Sequence, residues 1–243
     1  MRFKDKVCLV TGGTSGIGRA VCERLAAEGG QVIALGRNTA EGAETVQRIE
    51  KDGGHAIFLS CDLSKPRSIT LVVNKVLEKY DRVDVLVSDA AMMTHELFSD
   101  LKLTQWDELM TVNLRALVQL SQLCLPHMPA GSAIVAISSV HAHQTTPRAI
   151  AYATSKGGME AFVRGLSREL KPQQTRINAV APGAVDTPML WNNPEVKNGN
   201  EKIEGAVGKP SEIAAAVAFL ASSEASFIHG TTLVADGGRL AQL

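Results

Sequence analysis

Short apolar runs rich in β-branched residues alternate along this chain with longer stretches in which apolar residues return every three or four positions. The short runs lie near 7–11, 31–36, 55–60, 83–88, 132–138, 175–181 and 231–235. They are almost continuously hydrophobic, the mark of strands buried on both faces of a parallel sheet. The longer stretches fall near 16–28, 40–52, 66–80, 104–125, 150–170 and 210–222, with helical period. Such alternation predicts βαβ units, and right-handed crossovers put helices on both faces of the sheet. The expected fold class is therefore α/β, a doubly wound parallel sheet. Its ligand crevice lies at the carboxyl ends of the strands, between strands one and four.

Directly after the first run comes Gly12-Gly13-Thr14-Ser15-Gly16-Ile17-Gly18, followed by an amphipathic stretch from Arg19 to Ala27. Strand, glycine turn, helix is the setting of a dinucleotide fingerprint. Gly12 can make the tight turn, Gly16 can let backbone approach a pyrophosphate, and Gly18 allows close helix packing. The helix N-terminus adds N–H donors and a partial positive charge. The spacing is Gly-x-x-x-Gly-x-Gly rather than the commoner Gly-x-Gly-x-x-Gly, and a glycine-rich loop without a ligand is the plainer alternative.

Past the middle of the chain, Tyr152 and Lys156 stand four positions apart, one above the other on a helix face. An ammonium so placed favours phenolate, the charged form of a group whose reference pKa is about 10. Tyr152 is thereby a candidate general acid/base. Together the two motifs resemble the short-chain dehydrogenase/reductase family, and the resemblance runs over nearly the whole length. The family's serine falls on Ser139, thirteen residues before Tyr152, and its helix asparagine on Asn113. Its Pro-Gly-x-Val-x-Thr segment matches Pro182-Gly183-Ala184-Val185-Asp186-Thr187, and its terminal strand matches His229-Gly230 and Val234-Ala235-Asp236-Gly237-Gly238.

The resemblance implies a Rossmann-type sheet of about seven strands in the order 3-2-1-4-5-6-7, and an oxidoreductase moving hydride between a nicotinamide cofactor and a carbonyl or alcohol. Tyr152 would give the substrate oxygen its proton, and Ser139 would hydrogen-bond that oxygen. Lys156 would bind the nicotinamide ribose and lower the tyrosine pKa, and Asn113 would hold a water linking Lys156 to solvent. Backbone at Val185 and the Thr187 hydroxyl would orient the carboxamide, and Asp62 would hold the adenine amino group. The remaining cofactor positions would be Gly12, Thr14, Ser15, Gly16, Ile17, Gly18, Arg37, Asn38, Leu63, Ala90, Pro182 and Gly183. No metal is expected.

Cofactor choice turns on the end of the second strand. An NAD site usually has an acidic residue there to hold the ribose 2′-hydroxyl. This chain has Gly36, which repels no phosphate, and then Arg37, which can fork onto a 2′-phosphate. NADP is the expected cofactor, with NAD the alternative, because neutral Ser15 stands where many NADP-preferring relatives carry a basic residue. One segment departs from the family: Ser88-Asp89-Ala90-Ala91 replaces the usual Asn-Asn-Ala-Gly. That departure supports one rival, a dinucleotide-sensing protein without turnover; the other is an NAD-dependent sugar or polyol dehydrogenase, with His141, His143, Gln144 and Asn192 as hydroxyl partners.

Composition narrows the partners. The chain has 243 residues, 45% of them hydrophobic, with 25 basic against 25 acidic side chains. One domain over 1–243 is expected, and no global field recruits nucleic acid or an anionic membrane. No apolar leader-like segment is evident, and the longest apolar run, Ile213 to Ala221, is far short of a membrane span. Cys8, Cys22, Cys61 and Cys124 lie within expected strands and helices, so buried reduced thiols in a cytoplasmic protein are expected. Residues 188–208, mixed in Pro, Gly and Asn, read as a mobile cover over the substrate. His141 and His143 read as plain exposed loop residues. The resemblance also implies a homotetramer built on the helices near 104–125 and 150–170, with a small-molecule substrate as the only other partner.

Overall fold

In the computed structural model, which describes residues 1–200, 202–203 and 205–241, the seven apolar runs pair into one parallel sheet. Its strands are β1 (Val7–Thr11), β2 (Gln31–Gly36), β3 (His55–Ser60), β4 (Val85–Ser88), β5 (Ser132–Ile137), β6 (Thr175–Pro182) and β7 (Thr232–Ala235). Their order is β3-β2-β1-β4-β5-β6-β7, as the resemblance implied. β1, β4, β5 and β6 are buried at every position, which explains their unbroken hydrophobicity. Successive residues nevertheless serve opposite layers. Leu9 and Ile134 join the core on one face, while Val10 and Val135 join the core on the other.

Thr11 pairs with Leu35 on one side and Ser88 on the other, and Ser88 pairs with Ala136. The carboxyl ends of the central strands are thus level. The chain winds outward in both directions from the β1–β4 boundary, so the connections leave a crevice there.

The helices are α1 (Gly16–Ala27), α2 (Thr39–Lys51), α3 (Pro66–Tyr80), α4 (Leu103–Met110), α5 (Ala116–Cys124), α6 (Ile150–Glu169), α7 (Pro188–Trp191), α8 (Pro194–Lys197) and α9 (Pro210–Ala221). α1 packs against α2 and α9, and α3 packs against α5. The stretch expected as one helix near 104–125 is not one helix. A π-helical turn, Thr111–Arg115, joins α4 to α5. The wider turn rotates the residues it contains relative to the helix on either side, and Asn113 is thereby buried.

Residues 188–208, expected as a mobile cover, begin with α7 and α8. Each has proline in its first turn and a side-chain cap: Thr187 Oγ1 accepts from Leu190 N, and Asn193 Oδ1 accepts from Glu195 N. The base of the segment is closed. Asp186 N donates to Gly208 O at 2.8 Å and Gly208 N donates to Ala184 O at 2.9 Å. Positions 201 and 204 of this segment, and 242–243 at the end of the expected domain, lie outside the described residues. All four cysteines are buried and free. Among the described residues no helix is long and apolar enough to cross a membrane.

Candidate active site

The crevice is a cavity of about 800 Å³. Gly12, Thr14, Ser15, Gly16, Ile17, Arg37, Asp62, Leu63 and Ala90 line it together with Ser139, Tyr152 and Lys156. Pro182, Gly183, Val185 and Thr187 close one side. Three residues singled out in the sequence do not reach it. Gly18 lies behind the loop, where a Cβ would stand 2.2 Å from Gly12 O. Asn38 caps α2, its Oδ1 accepting from Ala40 N and Glu41 N at 3.1 and 3.2 Å. Asn113 sits beneath the cavity floor.

The glycine loop is built for close approach. Gly12 and Gly16 adopt φ of +71° and +53°, the left-handed region that glycine enters at least cost. Ser15 precedes α1 without capping it, so the Gly16 and Ile17 amides at the start of that helix keep their donors for an anion in the crevice. At the far rim, a Cβ on Gly36 would stand 2.4 Å from Thr14 Cγ2. Thr14 thus fills the space an acidic side chain at 36 would need. Arg37 beside it is exposed, with no ion pair among the described residues.

Ser139 leaves β5 and caps the short turn Val140–Ala142, its Oγ accepting from His141 N at 3.2 Å. Its hydroxyl also hydrogen-bonds Tyr152, on the first turn of α6. Lys156, 1% exposed, donates from Nζ to Ile137 O at 2.6 Å, and the ammonium lies 5.5 Å from the Tyr152 ring centroid.

The electrostatics differ from the simple expectation that Lys156 pulls the tyrosine pKa down. Burial pushes the Tyr152 phenol up to about 12, the Ser139 hydrogen bond opposes that rise, and the Asp89 charge adds to it. The ammonium faces the ring rather than the hydroxyl, and its own pKa is lowered because it too is buried.

The Asn113 side chain makes three hydrogen bonds to protein. Met92 N donates to its Oδ1 at 2.8 Å, while its Nδ2 donates to Met92 O at 2.9 Å and Ser155 Oγ at 3.0 Å. The Asn113 side chain therefore holds the segment after β4 against α6. This places Met92 and Met93 in the cavity wall, with Val140, Gln144, Thr145, Met189 and Leu190. The two methionines were not singled out in the sequence, where they fall in a stretch without period. His141 stands edge-on to Tyr152, with ring centroids 5.7 Å apart. Nor is His143 a plain surface residue: its Nε2 lies 3.2 Å from Glu160 Oε1, a buried carboxylate. Among the described residues no group of three or more His, Cys, Asp or Glu side chains could hold a metal ion.

Asp89, the residue that departs from the family pattern, tucks under the glycine loop. Its Oδ2 would stand 2.7 Å from a Cβ on either Gly12 or Gly18, and its carboxylate accepts the Gly18 N–H. Burial raises its pKa, while the Lys156 charge and the Gly18 amide hold that rise back. A carboxyl whose pKa rises on folding stabilises the fold most below the ordinary carboxylate range. That stability is lost as pH climbs towards about 7. The lowered Lys156 acts with the opposite sign, in an alkaline window. Asp89→Asn is therefore expected to flatten the decline in melting temperature between mildly acidic and neutral pH, and to melt above wild type at pH 8. Parallel melting curves for the two proteins across that range would disprove the assignment of the slope to Asp89.

The family model described as enoyl-(acyl carrier protein) reductase matches residues 12–239. The chain is 35% identical to a cyclopentanol dehydrogenase of Comamonas testosteroni, over 98% of each sequence. It belongs to the short-chain dehydrogenase/reductase family. Solved structures of short-chain enzymes agree with it throughout. A short chain dehydrogenase from Burkholderia cenocepacia J2315 in complex with NADP is 33% identical and superposes with a TM-score of 0.90 over 98% of both chains. The angucycline C-6 ketoreductase LanV with bound NADP, also 33% identical, gives 0.92 over 99% of this chain and 98% of its own. Within this short-chain dehydrogenase/reductase, the Ser139, Tyr152 and Lys156 side chains and the glycine loop line one crevice.

Proposed function

We propose that the protein is an oxidoreductase that moves hydride between NADP(H) and a carbonyl or alcohol substrate. The observation that carries this reading is one continuous cavity joining the uncapped α1 N-terminus and Arg37 to Ser139 and Tyr152. The glycine loop is a cradle that side chains would fill, so its residues fit a dinucleotide pyrophosphate. Asp62 and Leu63 line the adenosine end, and Arg37 meets a 2′-phosphate through charge-assisted hydrogen bonds. Pro182, Gly183, Val185 and Thr187 border the nicotinamide end. When bound, the nicotinamide supplies hydride to the carbonyl carbon, or takes it back from the alcohol.

The chain's own residues handle the proton. Tyr152, neutral at physiological pH like any phenol and kept so by its burial, donates its hydroxyl proton to the substrate oxygen. Ser139 holds that oxygen by a hydrogen bond, which places it within reach of the phenol. The Lys156 ammonium beneath the ring stabilises the tyrosinate that remains. Asn113 fixes the wall residue Met92 rather than touching substrate.

The test is cofactor discrimination together with turnover. NADPH should bind more tightly than NADH by fluorescence titration, and a panel of ketones, sugars and polyols should yield turnover with NADP(H). Arg37→Ala should weaken NADPH by about tenfold to a hundredfold and leave NADH unchanged. Equal affinity of wild type for the two cofactors removes the argument from Arg37 and favours an NAD-dependent polyol dehydrogenase.

The same reading extends to assembly and location. The chain works as one domain over 1–243, with 188–208 covering the substrate. It forms a homotetramer in the cytoplasm, using the helix faces on which Leu103 and Ile150 stand exposed. Light scattering at micromolar concentration reads the assembly directly.

A further inference from the structure

Glu160 on α6 has a side chain only 5% exposed and no part in the chemistry above. It stands one turn past Lys156 and two turns past Tyr152, so the three side chains share one helix face. That face meets the end of β5 and the residues after it one by one. Tyr152 meets the Ser139 hydroxyl, Lys156 Nζ meets Ile137 O, and Ser138 Oγ donates to Glu160 Oε1 at 2.7 Å. From the opposite side Ser138 N donates to Val180 O at 2.7 Å. The same Glu160 oxygen lies 3.2 Å from His143 Nε2, which reaches in from the exposed segment beyond Ser139. A carboxylate this deep is kept only with hydrogen-bonding partners. Here both partners belong to the segment that carries Ser139.

We propose that Glu160 is a positioning residue for the reaction, holding Ser139 in register with Tyr152 by clasping Ser138 on one side and His143 on the other. The proposal rests on the reading of Ser139 and Tyr152 given above. Tyr-x-x-x-Lys then becomes a motif of three members over about two turns, Tyr152-x-x-x-Lys156-x-x-x-Glu160. Its last member touches neither substrate nor cofactor. It sets where the oxygen-binding hydroxyl sits, and a displacement of about 1 Å at such a group can cost about a hundredfold in rate.

Substitution separates this role from that of an ordinary buried carboxylate. Glu160→Gln keeps an acceptor oxygen for Ser138, whereas Glu160→Ala removes it. Sites are counted by NADPH titration, so that kcat refers to folded, cofactor-binding molecules, and KM is measured separately. Glu160→Ala is expected to lower kcat by about tenfold to a hundredfold, with NADPH affinity within about threefold of wild type. Glu160→Gln is expected to restore most of that loss. Ser138→Ala deletes the same hydrogen bond from the other partner and should reproduce the fall in kcat, which keeps the test open if Glu160→Ala does not fold. Wild-type kcat per site in Ser138→Ala, with Tyr152→Phe inactive, overturns the clasp and leaves the reading of the site intact. Wild-type kcat in both overturns the two together.

Discussion

Replacing Tyr152 with phenylalanine is expected to cut turnover by about a hundredfold to ten-thousandfold, the range that a positioned general acid or base supplies. The substitution removes one oxygen and leaves the ring, which is 8% exposed and packs in a small cluster with Leu109 and Ala151. Folding and cofactor binding should therefore change little. The Ser139 hydroxyl loses one partner but keeps the His141 amide, so its placement survives. Steady-state rates with NADPH on a responsive ketone, beside an NADPH fluorescence titration, separate the two effects. A variant that turns over as fast as wild type removes Tyr152 from the chemistry. One that loses both turnover and NADPH binding points to a role in shaping the pocket instead.

Lys156→Met should be as damaging for a different reason. Methionine can follow the buried path of the lysine stem but carries neither the ammonium beneath the Tyr152 ring nor the donor to Ile137 O. The tyrosinate left by proton transfer loses its nearest positive charge, and a buried carbonyl loses its partner. A loss of at least about a hundredfold in kcat/KM is expected. The substitution also reaches Asp89, whose raised pKa is held back by the Lys156 charge. Without that charge the Asp89 carboxyl titrates at still higher pH, so the decline of stability extends further into the alkaline range. Thermal melts across pH detect this shift independently of any assay for activity. Lys156→Arg is not expected to rescue turnover, since a 1% exposed site has no room for a planar fork. An unchanged pH profile of melting in Lys156→Met would show that the two groups are not electrostatically linked.

The sheet was legible because its central strands are buried on both faces and carry that fact in their composition. Strand order came with the glycine turn and the Tyr-x-x-x-Lys pair, which carry the family resemblance. What the sequence hid were contacts between residues far apart along the chain. Asn113 is joined to Met92 across 21 residues and to Ser155 across 42, and the π-helical turn that permits this leaves the apolar period around it undisturbed. Nothing in the sequence around Glu160 pointed to Ser138, 22 residues away, which meets it. The sign of the Tyr152 shift was also beyond reach, because spacing reports the neighbouring charge but not the depth of burial that outweighs it. β4 begins at Val85 rather than 83 for a similar reason. Asp84 turns its carboxylate to Val7 N at 3.0 Å and to Arg82, leaving the run that hydrophobicity alone would extend.

The closed base of the 188–208 segment bears on how this fold diversifies. Because Asp186 and Gly208 are bonded to each other, the two ends of the cover are held together whatever lies between them. Doubling the length of a flexible loop on a fixed neck costs only about 0.6 kcal/mol more in closure entropy. Strands, glycine turn and proton-handling residues need not register such a change. The segment is thus built like an exchangeable cassette, able to accept insertions and deletions between its bonded ends while the sheet and crevice stay fixed.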